Sequence, residues 1–95
     1  MSRSLLVKVT CGAEAAERAN QGLTVAATAA ASGVPVSLWL AGDATGFALR
    51  EGATALDLPL ATPVAELMAT VLELGRVTVC GQCAARRDLT ENDLA

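Results

Sequence analysis

The chain has no histidine and no tyrosine, and only one phenylalanine and one tryptophan. Without imidazole, Ser-His-Asp and Cys-His catalysis are excluded, as is every metal site that relies on a histidine ligand. Two aromatic side chains make no stacking platform, and a formal charge of −3 makes no positive field, so no nucleic-acid partner is expected. Although 53% of the residues are hydrophobic, no apolar run approaches the roughly 20 residues of a membrane span. No membrane partner is expected either. Met1-Ser2-Arg3-Ser4 runs straight into a strand pattern, without the basic segment, apolar run and cleavage site of a signal peptide, so the expected location is cytoplasmic. In that reducing compartment the three cysteines, Cys11, Cys80 and Cys83, are expected to serve chemistry or packing rather than structural disulfides.

What is present fits one domain over residues 1–95, because a chain of this length has no room for a second core. So much apolar material in a small interior implies burial against other subunits, and a homo-oligomer is expected. Leu5 to Thr10 reads as a first strand ending at Cys11-Gly12. A helix follows from Ala13 to about Ser32: Glu14, Glu17, Arg18 and Gln21 form its solvated stripe, and Ala16, Ala19, Leu23, Ala26 and Ala30 its apolar side. Gly33 closes it, and Val34 to Leu40 is the second strand. Asp43 is positioned to cap a short helix through about Arg50. Glu51 to Leu60 reads as a connection, with a short extended piece around Leu58-Pro59-Leu60. Thr62 as N-cap and Pro63 at the first helical position open a helix whose apolar face is Val64, Leu67, Met68, Val71 and Leu72. Gly75 ends it before a third strand, Arg76 to Val79.

Strand, helix, strand, helix, strand with short joins is the pattern of an α/β fold with a mostly parallel sheet and helical crossovers. Parallel strands deliver Cys11-Gly12, Gly42-Asp43 and Cys80-Gly81-Gln82-Cys83 to one sheet edge, the edge where α/β proteins collect ligands. Cys80 stands where the third strand hands over to a helix, and helix amides favour a thiolate over a thiol. Its other reading is a small apolar residue closing the core. Cys83 either resolves a sulfur intermediate or packs under the helix. Arg86 and Arg87 either lie near the thiols or form ordinary surface pairs. Cys80, Cys83, Arg86 and Arg87 are thus the candidate catalytic residues, and Cys11, Gly12, Gly42, Asp43 and Gly81 the candidate substrate-binding positions. A Cys-x-x-Cys pair also occurs in dithiol redox sites and zinc half-sites. Three cysteines without histidine leave a closed zinc site short of a ligand, so no metal and no cofactor are assigned.

Val77-Thr78-Val79-Cys80-Gly81-Gln82-Cys83-Ala84-Ala85-Arg86-Arg87-Asp88, followed by the acidic Thr90-Glu91-Asn92-Asp93-Leu94, resembles the DsrE/DsrF-like family of small sulfur-relay proteins. Gly33 to Asp43 resembles that family's second strand and following loop. The resemblance implies a three-layer, flavodoxin-like α/β fold, assembly into trimers or hexamers, and sulfane sulfur carried as a persulfide on Cys80 between donor and acceptor proteins. It also implies a further C-terminal helix and strand that this sequence does not include. Two other readings stand beside it: a non-catalytic oligomeric module that binds proteins, and a dithiol redox protein using Cys80 and Cys83.

Overall fold

The computed structural model describes residues 3–95; Met1 and Ser2, the head of the segment read above as carrying no leader, lie outside the described residues. Three parallel strands, β1 (Leu5–Val9), β2 (Val36–Leu40) and β3 (Arg76–Val79), form a sheet in the order β1-β2-β3. Helix α1 (Ala16–Ala31) joins the first pair and α2 (Val64–Leu74) the second. The result is an α/β, flavodoxin-like arrangement of a parallel sheet flanked by helices. A third helix, α3 (Gly81–Arg86), starts directly after β3. Among the described residues no helix is long and apolar enough to cross a membrane.

The register explains which face is the core. Val7, Leu38 and Val77 stand side by side, as do Val9, Leu40 and Val79, and all point toward α1 and α2. The alternate residues, Leu6 beside Ser37 and Arg76, and Lys8 beside Trp39 and Thr78, point the other way. Consecutive strand order with right-handed crossovers puts both long helices on one face, and α1 and α2 accordingly pack against each other. The alanines of α1 permit this: Ala19, Ala26, Ala27 and Ala30 are buried around Leu23. The face bearing Leu6 (65% exposed) and Trp39 (40% exposed) stays open among the described residues. The third layer implied by the resemblance is therefore not built from them.

Several boundaries differ from the sequence-based expectation for local reasons. The first turn of the long helix is a separate 3₁₀ turn, Ala13–Ala15, because Gly12 and Glu14 bond to each other before the α-helix is established. Pro63 is the N-cap of α2 rather than its first helical residue, its carbonyl accepting from the Glu66 amide at 3.0 Å. Leu72, expected on the apolar face of α2, is 42% exposed, since Val71 already fills the position facing the sheet. Leu58-Pro59-Leu60 is a turn rather than an extended piece, with Leu60 at φ 64°. Gly33, at φ 90°, closes α1 as expected.

The C-terminal segment is tied back onto the loop after β2. Leu94 bridges Leu49, Arg50 donates its amide to the Asp93 carbonyl at 2.8 Å, and Ala95 donates to the Ala48 carbonyl at 2.8 Å. Thr90 and Asp93 form a reciprocal cap at the start of the last turn.

Candidate functional site

The exits of the three strands lie side by side, stitched by backbone hydrogen bonds. The Ala41 amide donates to the Val9 carbonyl at 3.0 Å, and the Cys80 amide donates to the Leu40 carbonyl at 2.9 Å. Cys80 is still extended (φ −60°, ψ 119°) and is the N-cap of α3. Strand alternation therefore turns its side chain to the side of Thr78 and Trp39, away from the core face of Val79. Both Cys80 and Cys83 are partly exposed free thiols.

The surroundings of Cys80 favour its ionised form. Its sulfur makes no capping hydrogen bond of ordinary length, yet the Cys83 amide and then the Cys83 thiol hold its pKa below the usual thiol value. Lost hydration opposes these two, and the Gln82 amide and then the Arg86 charge add smaller contributions in the thiolate's favour. Removing groups that favour the thiolate raises the pKa. Cys83→Ala is therefore expected to move the pH midpoint of Cys80 alkylation upward, and Arg86→Gln to move it upward by less. An iodoacetamide rate profile of Cys80, followed by mass spectrometry, checks both, and the unaltered protein should titrate below an ordinary thiol.

Arg86 and Arg87 have separate surroundings. Arg87 donates from Nη1 to the Cys83 carbonyl at 3.0 Å and from Nη2 to Asp43 Oδ1 at 2.8 Å. It thereby clamps the Cys83 turn to the loop after β2 and is committed there. Asp43, expected to cap a helix, does not: the 3₁₀ helix Gly42–Ala48 starts after Ala41 without a side-chain cap, and the Asp43 carboxylate is the partner of Arg87.

Cys11 is not part of the exposed edge. It belongs to the core cluster, and its Sγ points to the Ala15 carbonyl at 3.9 Å. Gly12 and Gly42 act through close approach of backbone. A Cβ at Gly12 would stand 2.7 Å from the Asp43 carbonyl oxygen, and one at Gly42 the same distance from that of Thr10. Gly42 also has φ 55°. Gly42→Ala is expected to cost about 1–3 kcal/mol from backbone conformation alone, with the Thr10 contact adding to it; a lowered urea midpoint checks this. Gly81, by contrast, has open space where a Cβ would be. An open groove of about 390 Å³ lies between Glu14, Asp43, Thr54, Arg87 and Leu89, and neither Cys80 nor Cys83 lines it.

The sequence profile of the DsrE/DsrF-like family matches residues 3–95. The chain belongs to that family. Sulfur relay is the function that membership suggests at the level of the family. None of the curated proteins compared with it matches the chain. In this DsrE/DsrF-like protein two contributors escaped the reading of the sequence. Thr45 is fully buried, and its hydroxyl donates to the Gly42 carbonyl at 3.0 Å, fixing the loop that presents Asp43; a threonine three residues after a glycine is the available signal. Gln82 contributes its backbone amide, which no side-chain pattern reveals. Among the described residues no three Cys, Asp or Glu side chains converge as a metal site would require.

Proposed function

We propose that this DsrE/DsrF-like chain is a sulfurtransferase of the carrier type, with Cys80 as the carrier. The Cys80 thiolate attacks the outer sulfur of a donor protein's persulfide and expels the donor thiolate. It holds the sulfur as Cys80–S–SH and passes it to an acceptor thiol. Each step exchanges one sulfur–sulfur or sulfur–hydrogen bond for another, so the sequence needs no metal and no organic cofactor.

The observation that carries this reading is a partly exposed thiol at the exit of β3 whose ionised form is favoured by the Cys83 amide and thiol. A partly exposed thiol rather than one in a pocket suits another protein's cysteine as donor. Arg86 adds positive charge near an anionic sulfur, while Arg87, Asp43, Gly12 and Gly42 hold the neighbouring loops in place. The test is to incubate the reduced Cys83→Ala variant, in which no second thiol can displace the sulfur, with a sulfane-sulfur donor and weigh it intact. Gain of one sulfur on Cys80, removed by reductant, is expected; sulfur found on no cysteine overturns the proposal.

The same reading includes a homo-oligomer, a trimer or hexamer, in the reducing cytoplasm. Its support is the open sheet face, since parallel sheets are ordinarily covered on both sides. That face offers Leu6 and Trp39 flanked by Lys8 and Arg76, and the exposed side of α2 offers Leu72 with Glu66 and Glu73. The glutamates of a second copy's α2 complement the charge of Lys8 and Arg76. Trp39 is the single tryptophan, so its emission is expected to shift to shorter wavelength as concentration rises. An unchanging spectrum together with a monomer in sedimentation removes this part.

A further inference from the structure

We infer that Cys83 is the resolving thiol of this site: it attacks Sγ of the Cys80 persulfide, expels sulfide and leaves a Cys80–Cys83 disulfide. The inference rests on Cys80 carrying sulfur, and it adds an outcome that a simple carrier lacks. The bond between Cys80 Sγ and the outer sulfur breaks, and its electron pair leaves with that sulfur as HS⁻. The bond between the two cysteine sulfurs forms, and the Cys83 proton goes to water or to the departing sulfide. The outer sulfur is thereby reduced to sulfide by two electrons, and the thiol pair is oxidised to the disulfide. No outside oxidant takes part, and a dithiol reductant returns the pair to its starting state.

The placement of the two cysteines supports this. Cys80 is the N-cap of α3 and Cys83 lies in its first turn, with the Ala84 amide bonded to the Cys80 carbonyl at 3.0 Å. Residues three apart on a helical turn have Cβ atoms about 5–6 Å apart, and a disulfide needs about 3.8 Å. Closing that gap takes a small movement within the six-residue α3, whose Gly81 has no neighbour at its Cβ position. The backbone on either side is held. The Cys80 amide is bonded to β2, and the Cys83 carbonyl receives Arg87, itself paired to Asp43. Both sulfurs are partly exposed and reduced.

Cys11 is excluded from the same part by strand order. It follows β1, Cys80 follows β3, and β2 runs between them. Two strand spacings amount to about 9.5 Å, whereas cysteines joined by a disulfide have Cα atoms within about 7 Å. The persulfide is also suited to attack at its inner sulfur, because sulfide is a weakly basic leaving group and such groups leave faster. The Cys83 thiol is among the largest influences on Cys80, which agrees with the two sulfurs being close.

The test uses sodium tetrasulfide as the probe, without oxygen, followed by desalting. Sulfide release is then measured alongside intact mass for the unaltered protein, Cys83→Ser, Cys83→Ala and Cys11→Ser. Expected for the unaltered protein and for Cys11→Ser is one sulfide released per chain and a final mass two hydrogens below that of the reduced form. Both Cys83 variants are expected to keep one added sulfur on Cys80 and to release no sulfide over the same time. Retention of the added sulfur by the unaltered protein for as long as by Cys83→Ser overturns the inference and leaves the carrier reading standing. Transfer of that sulfur onto Cys83 without sulfide release also overturns it. No uptake by either Cys83 variant overturns the carrier reading and this inference together.

Discussion

Cys80→Ser is expected to take up no sulfane sulfur while unfolding at the same urea concentration as the unaltered protein. A serine hydroxyl is not ionised at neutral pH and makes no persulfide, so the loss of uptake should be complete rather than partial. The fold should not notice, because the contacts that hold this residue are its backbone amide on the Leu40 carbonyl and its carbonyl on the Ala84 amide. Cys11→Ser provides the opposite pattern. It puts a hydroxyl into the core cluster beside the Ala15 carbonyl, which alters stability and leaves uptake intact. Intact mass after exposure to a sulfur donor, read beside a urea titration, separates the two. Full uptake by Cys80→Ser would move the carrier role to another thiol.

Leu38→Ala is expected to show the largest loss of stability of any single truncation. Leu38 lies at the middle of the central strand, is 0% exposed, and is flanked in register by Val7 and Val77 beneath α1 and α2. Truncating a buried leucine costs about 2–5 kcal/mol, against about 5–15 kcal/mol for a whole domain. Leu6→Ala, one residue over on the neighbouring strand but on the open face, should change stability by no more than about 0.5 kcal/mol in dilute solution. Urea titrations of the two variants check the pair. An equal cost for both would mean that the open face is covered in solution, and the difference should then return on dilution.

The two leucines also mark how far the sequence carries. The strands and long helices were legible because their signals are local: β-branched runs, the polar stripe from Glu14 to Gln21, and glycines at positions 33 and 75 where helices stop. The same signals placed a thiol pair at a strand exit. They did not separate Leu6 from Leu38, since both sit in apolar strands and only the placement of the crossover helices makes one face interior. They also misread Asp43, because a carboxylate after a glycine suits a cap as well as an ion pair, and its partner Arg87 is distant in sequence.

By itself, then, the sequence determined an α/β chain without imidazole and a pair of thiols at the exit of its third strand. Only the tertiary structure decided that Cys11 is core, that Arg87 is engaged with Asp43 and the Cys83 carbonyl, and that one face of the sheet stays open. The reason is physical: helix and strand periodicity is written into neighbouring residues, whereas strand order, backbone approach and the pairing of distant charges arise when the chain closes on itself.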